Sequence, residues 1–202
     1  MNKKKKDYSA GAVKFAFWFM EFRKVVTLRA EGRNWDEIKS LNETENLFGA
    51  PTQARGKQIW STVSARVKKL DDSFYSIFTA SDLASQKLFA LVSVMANDTL
   101  FGEFVYEVIR EKMIIGINEY SPSDIRLFFK HKQEQSEKAA RWTDQTLVRL
   151  GHSYRNFLYE AGVTDNGREI RKILKPILDP EMKRWLQEQH MDYYLKALKG
   201  ER

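Results

Sequence analysis

The chain has 202 residues, 43% of them hydrophobic, which is enough to bury one large core or two small ones. It has no cysteine, so structural disulfides and thiolate metal sites are excluded, and its longest apolar run, Leu88 to Ala96 broken by Ser93, is far short of the roughly 20 residues a membrane span needs. Net charge is +7 but unevenly placed: residues 1–70 hold 15 Lys+Arg against 7 Asp+Glu, a local +8, while residues 71–202 hold 19 against 20.

With only 4 prolines and 10 glycines, and with 13 phenylalanines, the composition favours long helices over a many-turned β fold. Basic charge confined to one module is the electrostatic footprint of a nucleic-acid binder, because neutralising phosphates releases counterions. The N-terminus carries Lys3, Lys4, Lys5 and Lys6, candidate phosphate contacts that could equally be a solubilising end. Asp7, Tyr8 and Ser9 follow where a secretory apolar core would start, so the chain reads as cytoplasmic.

Residues Ala12 to Ala30 read as one helix, with Phe15, Trp18, Phe19, Phe22, Val25 and Val26 spread over more than one face. Gly32 can close it, and Asn34 with Glu37 three residues on can cap the next helix, whose apolar side is Trp35, Ile38 and Leu41. After a turn through Gly49, Ala50 and Pro51, Thr52 can cap a third helix of about five turns. Ile59, Val63, Val67 and Leu70 form its seam, and Arg55, Gln58, Thr62, Arg66 and Lys69 a second stripe, roughly 100° round the wheel. That division suits a helix-turn-helix, with one face docked and another free for a DNA groove. It equally suits the solvated face of an ordinary bundle helix.

The acidic turn at Asp71 and Asp72 marks a domain boundary, giving an N-terminal module, 1–72, and a C-terminal one, 73–202. In the second, Ser81 caps a helix to about Ala96 and Asp98 caps another to Met113, which together read as an antiparallel hairpin. Ser121-Pro122 with Asp124 starts a further helix that becomes wholly polar from Lys130 to Lys138, an extension or a linker. Thr143 caps a helix in which an apolar seam alternates with Gln145, Arg149, His152 and Arg155. It stops at Ala161-Gly162, and Asp165-Asn166-Gly167 supplies a tight turn. Residues 142–175 therefore resemble a winged-helix recognition helix running into its wing, with Arg149 and Arg155 as further candidate DNA contacts. A last helix from about Glu181, with Trp185, Leu186, Tyr193, Tyr194 and Leu198, is expected to dock back on the body.

The search for catalytic chemistry finds no phosphate loop and no dinucleotide fingerprint. His131, His152 and His190 lack metal-ligand spacing. Glu181-Met182-Lys183 imitates the acid-x-Lys piece of metal nucleases but follows Asp179-Pro180, which starts a helix where those enzymes use a strand. The residues indicate a non-enzymatic protein with no metal and no cofactor.

Taken as an ordered set, Tyr8 to Gly11, Glu21, Gly32 with Trp35 to Ile38, Asn46 to Phe48, Arg66 to Leu70, Phe104 to Ile109, Trp142-Thr143 with Thr146, and Ala161-Gly162 resemble the BrxA family, the small helical component of BREX anti-phage systems. The resemblance implies a mostly helical, two-module protein that binds DNA and works beside other BREX proteins, among them a methyltransferase and ATPase-type components. The family has been likened to the RNA-binding antitermination factor NusB, which keeps RNA open as a ligand. The expected fold is all-α, with at most a minimal β wing. The expected function is double-stranded DNA binding in phage defence, mainly through phosphates and with modest sequence preference; an RNA binder and a protein assembly scaffold are the alternatives.

Overall fold

Capping chemistry sets where most helices begin. The computed structural model describes residues 8–202 and opens with a 3-10 turn, Gly11–Lys14, followed by α1 (Phe19–Ala30), α2 (Trp35–Glu45) and α3 (Gln53–Val67). Asn34 accepts from the amides of Asp36 and Glu37 while the Glu37 carboxylate takes the Asn34 amide, so the expected capping box closes the head of α2. Thr52 accepts from the Arg55 amide at the head of α3. Gly32, at φ +88°, ends α1 in the left-handed conformation that glycine adopts without strain.

Next come α4 (Phe74–Ala80) and α5 (Leu83–Asn97), the latter capped by Asp82, one residue beyond the expected Ser81. At Asp98 the chain bends by 114° into α6 (Thr99–Phe104), which continues through a π-helical stretch, Val105–Arg110, into α7 (Glu111–Ile114). The expected antiparallel hairpin is thus an open corner. Among the described residues no single helix is long and apolar enough to cross a membrane.

The chain then forms β1 (Glu119–Tyr120), α8 (Pro122–Gln135), α9 (Glu137–Ala140), α10 (Asp144–Glu160), β2 (Arg171–Lys172), α11 (Pro180–Glu188) and α12 (Asp192–Lys199). β1 and β2 are antiparallel, with Glu119 opposite Lys172 and Tyr120 opposite Arg171, and Ile173 bridges back to Thr164. The later strand therefore lies between the other two segments. The fold is all-α with a minimal β wing.

The core is continuous from the N-terminal helices to the C-terminal ones. Phe22, Phe74, Phe78, Phe89 and Trp185 stack edge to face or tilted between α1, α4, α5 and α11, and the Trp185 indole donates to the Ser73 hydroxyl at 2.8 Å. Burial of each such ring stabilises by about 2–3 kcal/mol, so the C-terminal helices are an integral part of the body. They form two helices, not one: His190 turns the chain at φ +55°.

Two expectations fail for the same reason, a buried cation. The stretch Ala12 to Ala30 is not one helix; Trp18 sits in the left-handed region at φ 54° and breaks it. The break frees the carbonyls of Ala16 and Phe17, and Arg66 Nη2 and Nη1 donate to them at 3.1 and 2.6 Å. The polar run from Lys130 to Lys138 is likewise not all solvated. Lys132 is buried and donates to Glu103 (2.6 Å) and Glu107 (2.7 Å), and the Tyr8 hydroxyl donates to the same Glu103 carboxylate. Burial disfavours the ammonium, but the two carboxylates outweigh it and hold its pKa above the ordinary lysine value.

Candidate nucleic-acid interface

Thr143 accepts from the Thr146 amide and starts α10, the longest of the described helices. One side of it is buried: Leu150, Tyr154, Phe157 and Leu158 pack against α6, α8 and the segment before α1, through rings such as Phe101, Phe104, Phe129 and Phe17. Gly151 lets α8 come close, since a Cβ there would stand 3.1 Å from the Ile125 side chain. The opposite side carries Gln145, Val148, Arg149, His152, Asn156 and Tyr159, all exposed. At 3.6 residues per turn these six fall within one sector of the wheel. Beside it α8 and α10 enclose a groove of about 370 Å³ with Ile125, Phe129, Leu147 and Val148 in its walls and Arg126, Lys130, His152 and Arg155 along it.

The end of α10 leads into a hairpin. Val163 accepts from the Leu174 amide, and the Asp165 amide donates to the Lys172 carbonyl. The Asp165 carboxylate accepts from the amides of Gly167 and Lys172, bonds to the charged form that hold its pKa below the usual aspartate value. Residue 167 must be glycine: a Cβ there would stand 1.9 Å from the Ile170 carbonyl oxygen. Two arginines tie this turn to the helix. Arg155 Nη2 donates to the carbonyls of Gly167 (2.9 Å) and Arg168 (2.6 Å), and Arg171 donates back to the Arg155 carbonyl and to Asn166 Oδ1. Burial lowers the Arg171 pKa, and the neighbouring Arg155 charge acts in the same direction.

The candidate contacts divide sharply. Arg66 is 3% exposed and Thr62 7%, so neither lies on an open stripe. The Arg66 guanidinium packs over the Trp18 ring at 5.8 Å and the Phe157 ring at 5.6 Å, and burial lowers its pKa from the ordinary arginine value to about 10, although Asp98 and Glu160 oppose this. Thr62 donates to the Gln58 carbonyl within the helix. Arg55 and Gln58 are half-buried; Arg55 lies 5.0 Å over Trp18 and donates to Gln58 Oε1 at 2.6 Å. These side chains meet around Trp18, so the expected polar face of α3 is a packed junction. Its exposed side is instead Gln53, Ala54, Lys57, Ser61 and Lys68, with Lys69 just beyond the helix also exposed.

Arg149 is exposed, as a contact would require, while Arg155 braces the hairpin. Lys3, Lys4, Lys5 and Lys6 lie outside the described residues. Asn156 and Val148 carry no charge and so lie outside any basic stripe, while Arg126 and Lys130 are cations one turn apart on α8; one signal marks α10: from Gln145 to Tyr159 there is no lysine, aspartate or glutamate. Glu181 and Lys183 sit on α11, so the nuclease-like spacing is presented by a helix.

Comparison with known proteins places this arrangement. A solved structure of an uncharacterized protein from Magnetospirillum magneticum superposes with a TM-score of 0.80 at 16% identity, covering 96% of this chain and 100% of that one, which shows a shared fold. The BREX protein BrxA of Bacillus cereus is 37% identical over 183 residues, 91% of this chain and 92% of the relative. The BrxA family model matches residues 6–190. With that coverage and that identity, the chain belongs to the BrxA family.

Proposed function

We propose that this protein is a component of a BREX phage-defence system that binds double-stranded DNA, without catalytic chemistry of its own, and acts there with other BREX proteins. The observation that carries the reading is a long exposed face of α10 next to a hairpin pinned to that helix by Arg155 and Arg171. Setting aside the short α7 and α9, the order from α6 to β2 of helix, strand, helix, helix, bridging residue, turn and strand, with the last strand in the middle, supports a winged-helix reading. Arg126, Lys130, Arg149 and Arg168 are exposed around this face and suit phosphate neutralisation. The basic N-terminal module adds Lys57, Lys68 and Lys69, in place of the buried Arg66 and Thr62. Most of the affinity is then electrostatic and independent of sequence.

The test is titration of a labelled duplex at several salt concentrations, with a structured RNA of equal length as competitor. Duplex should be preferred, and Arg126→Ala with Lys130→Ala should reduce the salt slope by about 2. Preference for the RNA would favour the RNA-binding alternative. Affinity for neither, with BREX proteins still co-purifying, would favour the scaffold.

A further inference from the structure

We infer that α10 reads base sequence, while the lysines of the N-terminal module and the cations of α8 supply phosphate contacts; the inference rests on the duplex-binding reading above. Two other helices of the chain show several ions on their solvated faces. α8 shows Arg126, Lys130 and Glu134 to solvent, and α11 shows Glu181, Arg184 and Glu188. In a chain that is 30% charged, the outward face of α10 between Gln145 and Tyr159 has Arg149 as its one permanently charged residue, beside Gln145, His152, Asn156 and an exposed valine, with the exposed carboxylates of Asp144 and Glu160 confined to the two helix ends.

These are the side chains that major-groove edges recognise. Glutamine and asparagine bond adenine at two atoms, arginine bonds guanine at two atoms, and an apolar group meets the thymine methyl. Gln145, Arg149, His152 and Asn156 form no side-chain hydrogen bond or ion pair among the described residues, so their donors and acceptors point outward unspent. Val148 is 54% exposed, an apolar group left in water unless something covers it. Arg155, which could have served phosphate, is committed to the hairpin carbonyls and fixes the turn relative to the helix. That rigidity is what a base reader needs, because hydrogen-bond discrimination fails when donors can shift. From Gln145 to Asn156 the face spans about 17 Å, the length of about five base pairs.

The experiment is selection of bound sequences by the full-length protein from a duplex library with a randomised centre, followed by titration of the selected duplex and a scrambled one. The wild type should enrich a motif of about five base pairs. Arg149→Ala and Asn156→Ala should each lose about tenfold or more on the selected duplex and little on the scrambled one. Lys57→Ala should weaken both duplexes equally and lower the salt slope by about 1. Duplex binding with no enriched motif would overturn this inference and leave the proposed function standing. So would equal losses on both duplexes for the α10 variants. Failure of the wild type to bind any duplex would instead remove the underlying reading.

Discussion

Helices α3 and α10 are written on the same plan, a threonine cap, an apolar seam and arginines on another side, yet they end in opposite environments. α3 is packed by α1, α2 and α5, and its arginine stripe turns inward to the broken N-terminal segment. α10 meets the 3-10 turn, α8 and α5 and keeps one face open. The difference lies in the acceptors on offer. A guanidinium tolerates burial when carbonyls take its donors and rings cover its faces, and Ala16, Phe17, Trp18 and Phe157 provide both for Arg66. Among the described residues no carbonyl accepts from the Arg149 guanidinium and no ring covers it.

The sharpest way to break this contrast is Arg66→Ala. The buried Phe17 carbonyl and the partly buried Ala16 carbonyl would lose their donor and the packing over two rings would go, so stability should fall by roughly 3–5 kcal/mol in denaturant titration, with DNA affinity per folded molecule unchanged. A variant that melts like the wild type but loses duplex binding would return α3 to the interface. Smaller, and confined to the other region, is the effect of releasing the hairpin. Arg155→Ala should cost about 1–3 kcal/mol and speed hydrogen exchange of amides in 165–172. Gly167→Ala, which puts a Cβ against the Ile170 carbonyl, should do the same, and both should weaken duplex binding several-fold through loss of a fixed turn. Unchanged exchange in both would mean that the arginine brace is not what orders the turn.

Lys69→Ala should leave stability within about 1 kcal/mol and reduce the salt slope by about 1. No change in slope would exclude that end of α3 from the phosphate contacts. The smallest expected effect is acid loosening of the hairpin. The Asp165 pKa is lowered by bonds from the Gly167 and Lys172 amides, so its contribution is full above the ordinary value of 3.8 and disappears as pH falls below it, through the lowered value. Amide exchange or NMR shifts of Gly167 and Lys172 between pH 5 and pH 3, with Asp165→Asn as control, would check this. Identical pH responses in both proteins would remove Asp165 as the cause.

What could be read from the sequence was local. The caps at Asn34, Thr52, Asp98 and Thr143 and the Ser121-Pro122 start are where they were expected, because a cap is decided within four residues. Long-range facts were hidden. The inward turn of Arg66 depends on acceptors near Phe17, and the burial of Lys132 depends on Glu103 and Glu107. A helical wheel shows which residues share a side, but not whether that side meets water. β1 was missed since two residues carry no periodicity; its partner strand lies some fifty positions away. In the candidate site, Arg149 is legible as a cation, while Val148 and Asn156 carry no charge and nothing in their local sequence marks them as exposed.

The break at Trp18 also bears on how the protein folds and how long it stays folded. Arg66 meets its carbonyl acceptors 49 and 50 residues earlier in the chain, a closure far costlier in entropy than a helical turn. Until α1 and α3 are packed together, the carbonyls of Ala16 and Phe17 have only water as a partner, and the left-handed Trp18 that follows them has nothing to hold it. Residues 8–18 should therefore dock after the rate-limiting barrier, and interactions formed there should have φ-values near zero. In stopped-flow kinetics Arg66→Ala should leave the refolding limb close to wild type and raise the unfolding rate by nearly its whole effect on stability; slowed refolding would place this contact in the nucleus. The buried arginine would then govern the lifetime of the native state, while the helices it joins govern how fast that state is reached.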